Sequence, residues 1–277
     1  MEKSMITAAI WPWGTDKREQ MVTASQEVSE IGYSSFESVR DAIYAYDLDL
    51  AAYEEVLKKY GLNAASFYFH FPVIEESDKI FDNLDRELDF ISALGVRRIC
   101  LQATWGRPET MDDAKKDQQV KLVEKFALWT KKIGITTNIH NHHNTWVMYE
   151  DEIDYILQNL GPGTISFAPD TAHLVAGLCD PVHTIKKYLD RVNFIHLKDI
   201  KDADIKSAGL ASAGMEVYSN FCELGQGIVD FKQIFDLLKS ADYDGPLCEE
   251  LDKAPVNNAL SAMKNYDYIL KHYFLKT

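Results

Sequence analysis

The stretch "FISALGVRRICLQA", residues 90–103, carries the tail of a helix predicted over 77–94, a stop at Gly95 and a strand over 96–103. Glycine directly after a helix is the residue best suited to the left-handed cap that ends it. The same join recurs along the chain. A helix over 16–31 ends before Gly32 and a strand over 33–39 follows; a helix over 48–60 stops at Gly61 ahead of a strand over 62–69. A helix over 112–133 ends at Gly134, and a strand over 135–141 comes next. The first strand is placed at 5–11. After residue 141 come a helix over 150–160, a strand over 163–170 and a helix over 180–190 opened by Asp180 and Pro181. A strand over 192–199, a helix over 230–240, a strand over 245–252 and a helix over 255–275 complete the chain.

Eight strand–helix pairs in 277 residues predict an α/β chain that forms a single (β/α)8 TIM barrel, one domain over 1–277. A doubly wound open sheet is the competitor, but it opens with a glycine-rich phosphate loop after its first strand. Here that loop is "WPWGTDKRE", with one glycine.

Composition narrows the function classes. The chain is 46% hydrophobic and 26% charged, an ordinary globular balance, and its net charge of −14 disfavours nucleic acid as a partner. Cys100, Cys179, Cys222 and Cys248 form no CxxC pair and read as reduced, mostly buried side chains. No apolar run approaches a membrane span and the N-terminus lacks a signal-peptide pattern, so a cytoplasmic protein with no membrane partner is expected. A homo-oligomer is compatible with the sequence.

In a TIM barrel the chemistry sits at the C-terminal ends of the strands. Those positions hold Trp11 and Trp13, Glu37, His70, Gln102 and Trp105, then His140, His142 and His143, Asp170 and His173, His196, Lys198 and Asp199, and Glu249 and Glu250. Metal-capable side chains crowd strands five to eight. Strand alternation puts Asn138, His140 and His142 on one face, leaves His143 off it, and lets only one of Glu249 and Glu250 enter the site. A mixed His/Asp/Glu set suits a divalent ion such as Mn²⁺, with Co²⁺, Mg²⁺ and Zn²⁺ as alternatives.

Blander readings stand beside these. Taken singly, His70, His143 and His183 read as hydrogen-bonded structural residues, and Asp151 and Glu152 as solvated helix-start charges. Aromatics of "SFYFHF" read as core and barrel wall, and Trp11 and Trp13 equally as packing or as a sugar platform.

The segments "FAPDTAHLVAGLCDP", "FIHLKD", "LGQGIVDF" and "GPLCEELD" resemble, in order, motifs of the sugar phosphate isomerase/epimerase superfamily of xylose isomerase-like barrels. The resemblance implies a metal held by a strand-five residue together with Asp170, His196 and Glu250, with His173 against substrate and Lys198 in the H-x-K-D element. Strand five departs from the common pattern: "HNH" puts His140 where many members carry Glu, as in the inosose dehydratase-like and other keto-sugar branches. Either His140 or His142 fills the strand-five ligand position.

The resemblance further implies proton abstraction next to a carbonyl of a keto-sugar or keto-inositol. Glu250 is assigned as ligand and acid/base, His142 or His140 as the second proton-transfer group, and Lys198 and His173 as groups that orient substrate oxygens. His70, Gln102, Trp11, Trp13 and Trp105 are assigned to substrate binding. A metal-dependent sugar isomerase/epimerase-type enzyme is the leading expectation, and a dehydratase or lyase using the same site is the alternative. An endonuclease IV-type barrel and a non-enzymatic sugar-binding barrel are the readings from other classes. Lys198 and Arg107 leave a phosphorylated substrate open, and the segment 201–227 is expected to act as a lid or to contact a partner.

Overall fold

The computed structural model describes residues 6–201 and 215–275. Its eight parallel strands are β1 (Ile6–Ala9), β2 (Ser35–Val39), β3 (Asn63–His70), β4 (Arg98–Gln102), β5 (Thr136–His140), β6 (Ser166–Ala168), β7 (Ile195–Leu197) and β8 (Leu247–Glu249). They hydrogen-bond in the order β6-β5-β4-β3-β2-β1-β8-β7. Single parallel bridges, Phe167 to Val192 and Asp170 to His196, bring β6 and β7 together. The result is a nearly closed (β/α)8 TIM barrel with helices on its outer face.

The glycine stops do the work expected of them. Gly61 and Gly95 take φ of 65° and 80°, the left-handed region where a side chain is strained, and each turns a helix into the next strand. Alternation then sorts the strand residues. Phe67 and Phe69 of β3 point outward, where Phe69 packs 5.7 Å from Phe126 of helix Asp113–Lys131. Burying such a ring contributes about 2 kcal/mol. Inside the barrel a smaller cluster of Ala9, Cys100, Ala168, Phe194 and Cys248 forms the floor beneath the strand ends. All four cysteines are buried and unbridged.

Several elements differ from expectation. The helix expected over 77–94 is a 3-10 stretch, Ile74–Phe81, followed by an α-helix, Leu84–Ala93. The break lets Phe81 stack on Trp129, 5.6 Å away, and pack against Phe71 and Phe126. The last helix is α-helical over Asn258–Ile269, starting where Asn257 caps the Leu260 N–H, and ends in a π turn, Leu270–Phe274. Two short helices, Asp41–Ala45 and Thr171–Ala176, were too brief for a periodic signal. A two-stranded antiparallel ribbon pairs Asp199–Ile200 with Phe221–Cys222. Of the segment 201–227, residues 202–214 lie outside the described residues. No helix among the described residues is long and apolar enough to cross a membrane.

Candidate metal centre and active site

Asp170 shows how local structure aims a ligand. It caps the helix Thr171–Ala176: its Oδ1 accepts the His173 N–H at 2.7 Å. That fixes the carboxylate and leaves Oδ2, fully buried, with no hydrogen-bond partner. Glu250 lies one residue past β8 and is held in the same way. Its Oε1 accepts from Lys198 Nζ at 2.7 Å, while Oε2 has no hydrogen-bond partner and lies 3.6 Å from His196 Nδ1. His140 ends β5 and His196 sits in β7; their Nδ1 atoms are 2.9 Å apart.

Ligand-capable atoms of His140, Asp170 and His196 lie within 4.8 Å of one another, and so do those of Asp170, His173 and Glu250. Asp170 belongs to both groups. Two buried carboxylate oxygens without partners and two convergent imidazole nitrogens are a donor set that fits a divalent ion. A third grouping, Glu37, His196 and Cys248, shares His196. There Glu37 accepts a short hydrogen bond from His196 Nε2, which leaves Nδ1 to face the centre.

His142 is placed differently from His140. Its Nδ1 lies 2.7 Å from the His143 carbonyl, so Nδ1 carries the hydrogen and Nε2 the lone pair. The Tyr218 hydroxyl approaches that lone pair at 3.4 Å. Nδ1 of His142 is therefore engaged by the backbone, and His140 is the strand-five group that meets Asp170 and His196. His142 packs against His173, the rings tilted by 38° with centroids 3.8 Å apart. Beyond His173 lies Lys198, whose Nζ is 3.4 Å from His173 Nε2, 2.6 Å from Asp252 and 4.3 Å from the Phe221 ring centroid.

Burial and charge set the protonation pattern. Burial lowers His142 to about 3, with Lys198 adding to the fall. It also holds His140 and His173 well below the usual histidine value. For His196 burial is outweighed by Glu37 and then Glu250, which raise it to about 9. Lys198 is likewise lifted, against its burial, by Asp252, Glu250 and Asp170. Glu250 is drawn below its ordinary value, against burial, by Lys198 and His196, whereas burial lifts Asp170 to about 8. The His142 and His173 rings are thus neutral, His173 accepts the His143 N–H through Nδ1 at 3.3 Å, and Lys198 is held as a cation.

The remaining assigned residues fall into two groups. Trp11 lies 6.1 Å from His196, ring to ring, and Trp105 lies 5.9 Å from His142. His70, Gln102 and Trp105 line an open pocket of about 480 Å³. Gln102 accepts from the Tyr68 hydroxyl at 2.7 Å, and the Tyr68 ring stands 5.2 Å from His140. Trp13 donates its indole N–H to Glu27 of helix Arg18–Ile31 at 2.5 Å and lies half-buried. Glu152 is a correction. It is buried, ion-paired with Arg107, and accepts the Met148 and Tyr149 N–H groups at 3.0 Å.

Reading the sequence alone missed four groups. The sequence places Glu37 at a strand end without a role and Tyr68 in the barrel wall. Asp252 and Tyr218 were not singled out. Asp252 had a signal, since it stands two residues after Glu250. Asp199, by contrast, builds the loop: its carboxylate accepts from the N–H groups of Gly225, Gly227 and Val229. A Cβ on Gly227 would sit 2.3 Å from Asp199 Oδ1, which explains the glycine in "GQGIVDF".

The family follows from comparison. A model of the Xylose isomerase-like TIM barrel matches residues 25–272. The chain belongs to that family. An inosose dehydratase of Mesomycoplasma hyopneumoniae strain J is 27% identical over 263 residues, covering 89% of this chain and 86% of the relative. One of Geobacillus thermodenitrificans is 25% identical over 281 residues, with 93% of each chain covered. A crystal structure described as IOLI protein with a bound zinc atom superposes with a TM-score of 0.79 at 14% identity, covering 98% of this chain and all of that one. At that identity the structural likeness speaks for the fold. The resemblance read from the four motifs and the barrel read from the glycine stops are both met by these findings.

Proposed function

We propose that this xylose isomerase-like barrel is a divalent-metal-dependent enzyme that removes a proton next to the carbonyl of a keto-inositol or keto-sugar, and that its overall reaction is loss of water. His140, Asp170, His196 and Glu250 would hold the ion. When bound, the ion supplies positive charge to the oxygen that becomes negative as the proton leaves.

The observation that carries the dehydratase reading is the row Tyr218, His142, His173, Lys198. It sets a neutral imidazole lone pair beside a buried ammonium, with one imidazole between them. A base and an acid of different kinds, side by side, suit removal of a proton and protonation of a departing hydroxyl on one face. His142 Nε2 is the lone pair that receives the proton, and its Nδ1–H is pinned by the His143 carbonyl. Lys198 is the proton donor nearest His173. Glu250 would be a ligand, and its other oxygen accepts the ammonium's hydrogen bond. Trp11, Trp105, Gln102 and His70 would bound the substrate. The inosose dehydratase relatives support the same reading.

Isomerisation or epimerisation shares the first step and is the second reading; it needs matched bases on opposite faces. Proton NMR of an inosose and a keto-sugar panel in D₂O separates the two. Loss of water supports elimination, and solvent deuterium in an intact carbon framework supports isomerisation. No change in any of these substrates would remove both.

In the same reading the protein works in the cytoplasm as one barrel domain on a small carbohydrate. The net charge of −14 supports a role without nucleic acid.

A further inference from the structure

We infer that Gln102 selects the substrate on the β3–β4 side of the site, and that Tyr68 sets which end of the Gln102 amide does so. The end presented is the NH2 group, which reads a hydroxyl oxygen of the substrate as a hydrogen-bond acceptor. The inference rests on the reaction proposed above and names a specificity-determining residue and its positioning partner.

Gln102 ends β4. Its partners across the sheet are His70 at the end of β3 and His140 at the end of β5. Side chains in register on neighbouring strands project to the same face. The Gln102 amide therefore stands between His140 and the pocket of about 480 Å³ that His70, Gln102 and Trp105 line. Trp105 joins the same two regions from the other side, since its ring lies 5.9 Å from that of His142. A substrate that touches both the centre and the pocket passes over Gln102.

A primary amide accepts at one end and donates at the other, so its orientation decides what it recognises. Here Oε1 accepts the Tyr68 hydroxyl at 2.7 Å. That phenol donates to no other described residue, and turning the amide over would strip it of its acceptor. Tyr68 is itself held by its neighbours: its ring lies 5.6 Å from Trp11 and 5.2 Å from His140. Nε2 of Gln102 donates to no described residue, so its two N–H bonds are left for a ligand. Gln102 is only 6% exposed. At so dry a wall a ligand that lacks the matching oxygen leaves the NH2 group unpaired, and that penalty is what discriminates.

Mono-deoxy forms of the keto-substrate that the full chain turns over test this. In the wild type, one of them is expected to lose about tenfold or more in kcat/KM. Gln102→Met is expected to lose about as much on the parent compound and nothing further on that deoxy form. Tyr68→Phe keeps Gln102 but frees its amide to turn. It is expected to melt close to the wild type and to discriminate between parent and deoxy form less than the wild type and more than Gln102→Met. A wild type that treats every deoxy form like the parent overturns the inference. So does a Gln102→Met variant that discriminates as the wild type does. Wild-type discrimination in Tyr68→Phe overturns it as well, even if Gln102→Met fails to fold. A chain that turns over no inosose or keto-sugar removes the proposed function and this inference together.

Discussion

Glu37 accepts a hydrogen bond from Nε2 of His196 across 159 positions of sequence, in the floor of the barrel. The bond fixes which nitrogen of His196 faces Asp170 and Glu250. Glu37→Gln keeps the shape but weakens the acceptor. It is expected to reduce metal affinity by about 10–100-fold, read by chelator competition, with the circular dichroism spectrum unchanged. Unaltered affinity would show that His196 is oriented by packing alone.

Lys198 is fully buried and ion-paired with Glu250 and Asp252. Lys198→Met leaves those carboxylates facing each other without a cation. Breaking a buried pair in this way costs about 3–5 kcal/mol. A fall of several degrees in melting temperature and loss of measurable turnover are expected. A variant as stable as the wild type would mean that Asp252 and Glu250 do not depend on the ammonium.

Tyr218 donates toward His142 Nε2 at 3.4 Å. Removing its hydroxyl leaves the fold intact, so Tyr218→Phe is expected to melt like the wild type. Turnover on the active keto-substrate should drop by about tenfold, roughly the value of one hydrogen bond. The His142 Nε2 shift in ¹⁵N NMR should move, and a spectrum identical to wild type would place Tyr218 out of contact.

Trp11 and Trp13 are separated by a single residue, yet their surroundings predict opposite phenotypes. Trp11→Ala removes a ring 6.1 Å from His196 and is expected to raise KM severalfold with little loss of stability. Trp13→Phe loses the bond to Glu27 and is expected to cost about 1 kcal/mol with turnover preserved. Equal kinetic effects from both would place Trp13 in the substrate site.

Glu249 faces away from the centre, where its carboxylate accepts from Asn265 at 2.7 Å. Burial raises it from 4.5 to about 8, with the Asn265 and Tyr33 hydrogen bonds opposing the rise. Between those two values the folded protein holds a proton that the unfolded chain has released. Stability contributed by this group is therefore present below about 4.5 and lost as pH rises toward 8. The slope is about 1.4 kcal/mol per pH unit. Denaturant titrations of wild type and Glu249→Gln over that range should differ by this slope, and parallel curves would refute it.

The alternation of strands and helices was legible because it rests on local chemistry: glycine after a helix, aspartate and proline before one, period-two alternation along a strand. Boundaries drifted where tertiary packing prevailed, as at Phe81, whose stacking on Trp129 interrupts the helix expected over 77–94. The short helix behind Asp170 went unread because six residues are less than two turns, too few for a periodic pattern.

The sequence by itself determined the barrel, the strand ends that carry metal-capable side chains, and, through alternation, that Glu249 and Glu250 serve different sides. Only the tertiary structure decided which atoms meet. His140 and His142 share a face and a residue type, yet His140 turns Nδ1 to His196 while His142 turns Nδ1 to the His143 carbonyl. Ring rotation is set by neighbours that are distant in sequence. Tyr218 approaches His142 from 76 positions away, and Glu37 reaches His196 from farther still. Local spacing fixes where a side chain starts, and packing fixes where its donor and acceptor atoms end.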